Sequence, residues 1–169
     1  MATVEVTKNL EEVRVKLAEA LALRADATRR VAQLRTRIVA NARFQEGEEP
    51  SEDAAALLAE AGAVLDELED LIMRINRTNA ATQIGPEGTI TDALARRDTL
   101  RARHSVVTDA ADAAAGRGQG MGRQLRSELK ILTALPVAQL RSQADDLARQ
   151  IREVDSLIQQ SNWQFDLLE

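Results

Sequence analysis

An apolar seam near the start of the sequence constrains the fold more than any other feature. Its residues are spaced alternately three and four apart: Leu10, Val13, Leu17, Ala20, Arg24, Ala27, Val31, Leu34, Ile38, Asn41 and Gln45. Arg24, Asn41 and Gln45 are its only polar members, and no glycine or proline falls between Leu10 and Gln45. This rhythm is that of a helix packed along its length, so we predict a first helix of about 50 Å and an elongated molecule.

A second helix is predicted from about Glu52 to Arg77. Gly47 and Pro50 end the first helix, and Ser51 is suited to cap the next one. The second helix carries one stripe of Leu57, Ala61, Val64, Leu68, Leu71 and Ile75, and beside it another of Leu58, Leu65 and Ile72. The short connection predicts an antiparallel hairpin, and the wide apolar face predicts contact with two neighbours.

The second half of the chain predicts two more helices around a glycine-rich linker. Thr91 is suited to cap a third helix ending near Ala115, with a seam of Ala93, Arg97, Leu100, His104, Val107, Ala111 and Ala114. The linker GRGQGMGR, residues 116–123, has too many glycines for a helix or a strand. Pro136 opens a fourth helix that ends at Asn162, with a seam of Val137, Leu140, Ala144, Leu147, Ile151, Val154 and Ile158.

Alternating polar and apolar residues predict two short strands, at Arg126 to Ala134 and at Trp163 to Leu168. Ile84 to Ile90 could add a small hairpin. Because two lone strands are marginally stable, we expect them to pair with each other, with the central loop or across a subunit boundary. The predicted fold is mainly α: one domain over residues 1–169, an elongated bundle of long antiparallel coiled-coil-like helices with two or three short β-strands. Residues 1–9 are expected to be a flexible extension.

Composition excludes several classes of partner and compartment. A formal net charge of -5 gives no generic attraction for nucleic acid or for an anionic membrane surface. The chain has no cysteine, which suits a reducing cytoplasm, and the N-terminal residues lack an apolar core of signal-peptide length. No stretch approaches the roughly 18 apolar residues of a membrane span. We expect a soluble cytoplasmic protein that does not bind nucleic acid or membranes.

The residue types argue against catalysis by a familiar constellation. His104 is the only histidine, which excludes two-histidine metal sites, and Ser105 beside it points to a different helix face. Asp145 and Asp146 are adjacent, but neighbours on a helix diverge. We therefore predict no catalytic residues, no metal and no cofactor, and we interpret His104 as a buried or interface residue.

A set of polar residues lies where helix seams should be apolar, and it is the candidate site. Its members are Asn76, Arg77, Asn79, Arg97, Asp98, Glu128, Lys130 and Asn162, to which we add His104 and Trp163 as candidate network or interface residues. One interpretation is a self-satisfied network of hydrogen bonds and ion pairs that fixes helix register and oligomer state. The other is a ligand pocket. We favour the network, because no nucleophile, metal cluster or phosphate-binding glycine pattern accompanies these residues.

Several motifs in a fixed order resemble those of a known family. They are KLAEALALRAD (Lys16 to Asp26) with VANARFQEGEEP (Val39 to Pro50), then INRTNAAT followed by LARRD, and then RSELK, DDL and SNW. Together they resemble the actinobacterial DIP1984-like proteins, often labelled septicolysin, over roughly Leu17 to Glu169. The resemblance implies long helices with short strands and an oligomer. This chain differs at GRGQGMGR, where relatives carry a more polar segment with a tyrosine.

The partner predicted from these features is the chain itself. Long amphipathic helices with wide apolar stripes cannot all be covered within one extended chain, so we expect a homo-oligomeric scaffold or binding protein. The septicolysin label implies a pore-forming haemolysin instead. Against that alternative, the helix seams lack aromatic anchors and their polar faces mix acids with bases. A small-molecule-binding protein or enzyme that uses the central polar residues is the third hypothesis.

Overall fold

The computed structural model describes residues 14–117 and 132–169. Four α-helices follow one another: α1 (Leu17–Asn41), α2 (Ala54–Ala81), α3 (Ile90–Ala114) and α4 (Val137–Gln164), with a 3-10 helix at Gly85–Glu87. The prediction of a mainly helical fold is confirmed. The described residues form two compact units. Unit 1 contains those up to Thr78 together with Asn162–Glu169, and unit 2 is Asn79–Ser161. That the chain is one domain stays a prediction.

The prediction of two or three short strands is wrong for the described residues, which contain only two isolated β-bridges, Lys16 to Asp166 and Gln83 to Thr89. Trp163 belongs to α4, which continues beyond Asn162. The tail after it pairs only briefly, as Leu17 N donates to Phe165 O and Leu167 N to Val15 O. In the predicted strand at Arg126 to Ala134, residues 126–131 lie outside the described residues, and 132–134 are not extended in a sheet.

A buried asparagine ends α1 and closes the connection to α2. Asn41 is 7% exposed, and its Nδ2 donates to Arg37 O at 2.9 Å. Its Oδ1 accepts from Ser51 Oγ at 2.8 Å and from Glu52 N at 3.1 Å. Helix α2 begins later than predicted, because the cap is the carboxylate of Asp53, which accepts from the first amides of the helix, and not Ser51.

Helices α1 and α2 form the antiparallel hairpin of unit 1. Their seams meet in a core of Leu34, Leu57, Ala61 and Val64, against which Ala27, Val31 and Ile38 pack. Two ion pairs run along one edge of the hairpin, Arg30 with Glu60 at 2.7 Å and Arg37 with Glu52. The pairs set the register, since residue 30 lies level with residue 60 and residue 37 with residue 52.

The carboxyl-terminal tail packs on unit 1 through a buried threonine. Thr78 is 0% exposed; its hydroxyl donates to Arg74 O at 2.8 Å and accepts from Leu168 N at 2.9 Å. Lys16 Nζ binds Asp166 Oδ1 at 2.6 Å at the first turn of α1. The tail is therefore held by backbone, hydroxyl and ionic contacts at once.

In unit 2, a tight turn leads into α3. Ile84 N donates to Gly88 O at 2.7 Å across the 3-10 helix, and Gly88 has a φ of 83°, which favours glycine. Helix α3 is capped by Thr89, two residues before the predicted Thr91. Asp92 N donates to Thr89 Oγ1 at 3.2 Å, and Asp92 Oδ2 accepts from Thr89 N at 2.8 Å. This reciprocal capping box fixes where the helix begins.

Candidate protein-interaction surface

Three large apolar side chains on α2 lie on the outside of unit 1. Leu58 is 63% exposed, Leu65 48% and Ile72 38%. They are seven residues apart and therefore lie on one side of the helix. We call Leu58, Leu65 and Ile72 the outer stripe. The hairpin with α1 covers the neighbouring seam, whereas the outer stripe stays exposed.

The outer stripe lies on the edge of the hairpin opposite the ion pairs. Residues two apart on a helix point in nearly opposite directions, so Leu58 lies across α2 from Glu60. By the same argument Thr28 lies across α1 from Arg30, on the edge that carries the outer stripe. Leu21 and Arg35 share the side of Thr28, because they are seven residues from it. We call the outer stripe together with Leu21, Thr28 and Arg35 the stripe face.

A glycine interrupts the outer stripe inside α2. Gly62 lies between Leu58 and Leu65, and a Cβ added to it would meet nothing within 4 Å. Glycine inside a helix costs about 1 kcal/mol relative to alanine. No close contact among the described residues requires this residue, whereas the close approach of a second helix would.

The two helices of the hairpin carry opposite charge. The acids of α2 are Glu60, Asp66, Glu67, Glu69 and Asp70, and the arginines of α1 are Arg24, Arg29, Arg30, Arg35 and Arg37. Within the hairpin, Arg30 binds Glu60 of α2, and Arg37 binds Glu52, two residues before α2 begins. The hydrogen bond from Arg37 lowers the pKa of Glu52, and Glu52 in turn raises the pKa of Arg37. Arg24 and Glu69 are exposed and form no ion pair with another described residue.

A shallow groove of about 430 Å³ lies on the ion-pair edge of the hairpin. Leu23, Ala27, Val64 and Leu71 form its apolar wall, and Asp26, Arg30, Glu67 and Asp70 form its rim. Arg30 already binds Glu60 at this edge. Part of the charged rim of the groove is therefore already neutralised within the hairpin.

The structure brings only some of the predicted polar residues together. In unit 2, Arg97 Nη2 lies 2.8 Å from Asp98 Oδ1 and Arg97 Nε lies 4.0 Å from Asp155 Oδ1. Arg101 Nη2 also binds Asp155, at 2.8 Å, which joins α3 to α4. His104 and Asn79, in the same unit, are half-buried. The sequence analysis did not include Asp155 among the candidate site residues. The signal that could have identified it is its position next to Val154, a seam residue of α4, which places it at the edge of the helix contact.

The remaining predicted polar residues belong to unit 1 or are not described. Asn76 and Arg77 are exposed on α2, Asn162 is half-buried, and Trp163 is exposed. The Arg77 guanidinium donates to Glu169 O at 3.3 Å. Glu128 and Lys130 lie outside the described residues. A single network of all ten residues therefore stays a prediction.

The described residues show neither a metal-site cluster nor a membrane-spanning helix. Residues 14–117 and 132–169 contain no group of three or more histidine, aspartate or glutamate side chains placed to hold a metal ion. In the same ranges, no helix combines the length and the apolar character needed to cross a membrane.

Comparisons with known proteins give a family and a fold. Residues 24–167 match the model of a family of unknown function, DUF6847. A crystal structure described as that of a functionally unknown conserved protein from Corynebacterium diphtheriae is 36% identical to this chain. The match covers 92% of this chain and 99% of that one, with a TM-score of 0.83. Among curated proteins, no sequence matches the chain.

Proposed function

Since the chain belongs to the family of unknown function DUF6847, we propose its function from its own surface: it is a self-associating structural or interaction protein. The outer stripe carries the proposal. Its side chains are large, apolar, exposed and spaced as in a helix that packs along its length. A second copy of the chain is the occupant, because it brings the same apolar face at the same concentration.

Burial of the outer stripe contributes to the driving force for association. Burying a leucine or isoleucine that was fully exposed contributes about 1.5–3 kcal/mol. Because the three side chains are 38–63% exposed in the single chain, their burial recovers about half of that value for each of them. A symmetric contact between two copies buries the three stripe residues of each copy. The entropy lost on association offsets part of this gain.

The septicolysin label suggests a different function for the same helices. We infer that the DIP1984-like resemblance and the DUF6847 family describe one group, since residues 24–167 include the motifs INRTNAAT, RSELK and SNW. Lysis is an alternative that vesicle leakage tests directly. We expect purified protein to release no dye from anionic or neutral vesicles; release at low protein concentration would favour the lytic function.

We propose that the polar residues of unit 2 have a structural role. Asp155 lies between Arg97 and Arg101, and both arginines make ion pairs with it. Charges that already neutralise one another in this way leave little field for a ligand. We also propose a cytoplasmic location, which the lack of cysteine suits.

Light scattering after size-exclusion chromatography tests self-association through the outer stripe. We expect a multimer for the wild type and a smaller species for Leu65→Gln, because glutamine keeps helix propensity but not apolar area. Val106→Gln is the matched control, since Val106 is 68% exposed on α3 and outside the stripe. A wild-type monomer, or equal effects of the two substitutions, would contradict the proposal.

A further inference from the structure

We propose that a second copy docks with its α1 over the outer stripe of α2, so that two unit 1 hairpins form an antiparallel four-helix bundle. The two-fold axis of this dimer runs parallel to the helices, and each hairpin presents its stripe face to the other. The inference rests on the proposed self-association and adds which helix meets which, and in what register.

The register follows from the ion pairs within one hairpin. Arg30 lies level with Glu60 and Arg37 with Glu52. Because the helices are antiparallel, a step of one residue forward along α1 corresponds to a step of about one residue backward along α2. A two-fold axis parallel to the helices keeps these levels between the two copies. Leu65 of one copy therefore lies level with Ala25 of the other.

Large side chains on α2 then meet small ones on α1. In this register, Leu58 of one copy faces Ala32 of the other, and Leu65 faces Ala25. Ala25 and Ala32 are exposed in the single chain. Small residues of this kind form the floor of the gaps that receive large side chains when two helices pack knobs into holes.

The complementary insertion runs from α1 to α2. Thr28 of the second copy lies level with Gly62, whose missing side chain leaves a gap bounded by Leu58, Ala61 and Leu65. The Thr28 hydroxyl already donates to Arg24 O at 2.8 Å, so the side chain can pack without an unmet donor. This contact supplies a reason for a glycine that no other described residue requires.

Charge selects α1 rather than α2 as the partner of the outer stripe. A contact between two α2 helices through the stripe face would bring Glu69, which lies between Leu65 and Ile72 on the same side of the helix, against Glu69 of the other copy, which is repulsive. With α1 over α2, Arg24 of one copy lies about one helical turn from Glu69 of the other. The two-fold symmetry of the dimer repeats the contact between Arg24 and Glu69, so it occurs twice.

Disulfide trapping tests the geometry, because the chain has no cysteine of its own. Chains carrying Ala25→Cys and chains carrying Leu65→Cys, co-expressed with different tags and oxidised, should form a mixed disulfide dimer. Neither variant alone should form one comparably, since a disulfide needs Cα atoms within about 7 Å. The pair Ala25→Cys and Val106→Cys is the matched control and should not cross-link.

Charge reversal gives a second readout. We expect Arg24→Glu or Glu69→Arg alone to weaken self-association several-fold, and the double variant to recover most of it. Asp109→Arg, at an exposed acid of α3, is the control and should leave association unchanged.

The outcomes separate this inference from the proposed function. Efficient cross-linking of Leu65→Cys to itself would overturn the α1-over-α2 geometry and leave self-association standing. A multimer that shows neither the mixed disulfide nor charge recovery would do the same. A wild-type monomer would overturn both.

Discussion

Asn41 shows how a polar residue in an apolar seam can define a fold. In the sequence it is one of three polar residues in the seam, and in the structure its side chain bonds the end of α1 to the residues before α2. The sequence could not reveal this partner, because Glu52 N is brought near only by the turn between them. Arg24, the other strong interruption, is exposed and faces solvent in a single chain.

Replacing Asn41 by leucine should destabilise unit 1. The substitution removes the acceptor for the exposed Ser51 Oγ and for the half-buried Glu52 N, and each lost hydrogen bond costs about 0.5–1.5 kcal/mol. Urea unfolding followed by circular dichroism measures the change. Asn76→Leu, at an exposed position of α2, should change the free energy of unfolding little; equal losses in the two variants would contradict the role given to Asn41.

Thr78→Val should loosen the carboxyl-terminal tail. Valine keeps the shape but leaves Leu168 N without its acceptor, at a cost of about 1–2 kcal/mol. Thr99→Val is the matched control, since the Thr99 hydroxyl makes the same bond to its own helix, to Ala95 O, and accepts from no described backbone amide. We expect faster hydrogen exchange at the Leu168 amide in Thr78→Val only.

Among the elements, the helix seams were predictable from the sequence and the helix ends were less so. Apolar residues that recur with the period of a helix mark the side of the helix that is buried. The core residues Leu34, Leu57 and Val64 all come from predicted seams. The ends depend on which of several nearby polar residues makes the cap. Thr89 and Thr91 were both suitable, and the reciprocal bond with Asp92 selects Thr89.

The strands were wrongly predicted because alternation over a few residues is weak evidence. The tail from Trp163 does alternate, but α4 continues through Gln164, and only one bridge remains for the residues after it. The pairing partner, the segment before α1, lies far away in sequence. Register between helices was equally hidden, because it depends on pairs such as Arg30 and Glu60 that sequence spacing does not reveal.

Acid should weaken the cap of α3. Hydrogen bonds from the backbone amide and the hydroxyl of Thr89 lower the pKa of Asp92 below the ordinary value of an aspartate. The unfolded state therefore binds more protons between the two pKa values, so this stabilisation is present above about pH 4 and is lost as pH falls through the folded pKa. Between pH 6 and pH 2, the free energy of unfolding should fall less steeply for Asp92→Asn than for the wild type. Parallel curves for the two proteins would contradict the role of Asp92 in the cap.

Gly62→Met separates the stability of the hairpin from its association. Methionine favours a helix over glycine by up to about 1 kcal/mol, and the open space at this position can hold its side chain. We expect higher thermal stability at low protein concentration together with weaker self-association, since the gap that receives Thr28 is filled. Gly62→Ala should gain stability as well and weaken association less than Gly62→Met does, because its methyl group fills only part of the gap. Unchanged association in Gly62→Met would remove Gly62 from the interface.

At the scale of the whole molecule, the exposed apolar surface of unit 1 was visible in the sequence. The second stripe of α2 was visible as spacing, and its exposure follows from a hairpin that can cover only one seam. The polar residues fell into separate units because their seam positions say nothing about tertiary partners. Asp155 joins Arg97 and Arg101 only once α3 and α4 are packed.

Self-association of the wild type is the central claim, and sedimentation velocity over a range of micromolar concentrations tests it most directly. One chain has a mass of 18.5 kDa. We expect a species of at least twice that mass that dissociates on dilution or after Leu65→Gln. A single species of 18.5 kDa at every concentration would contradict the claim.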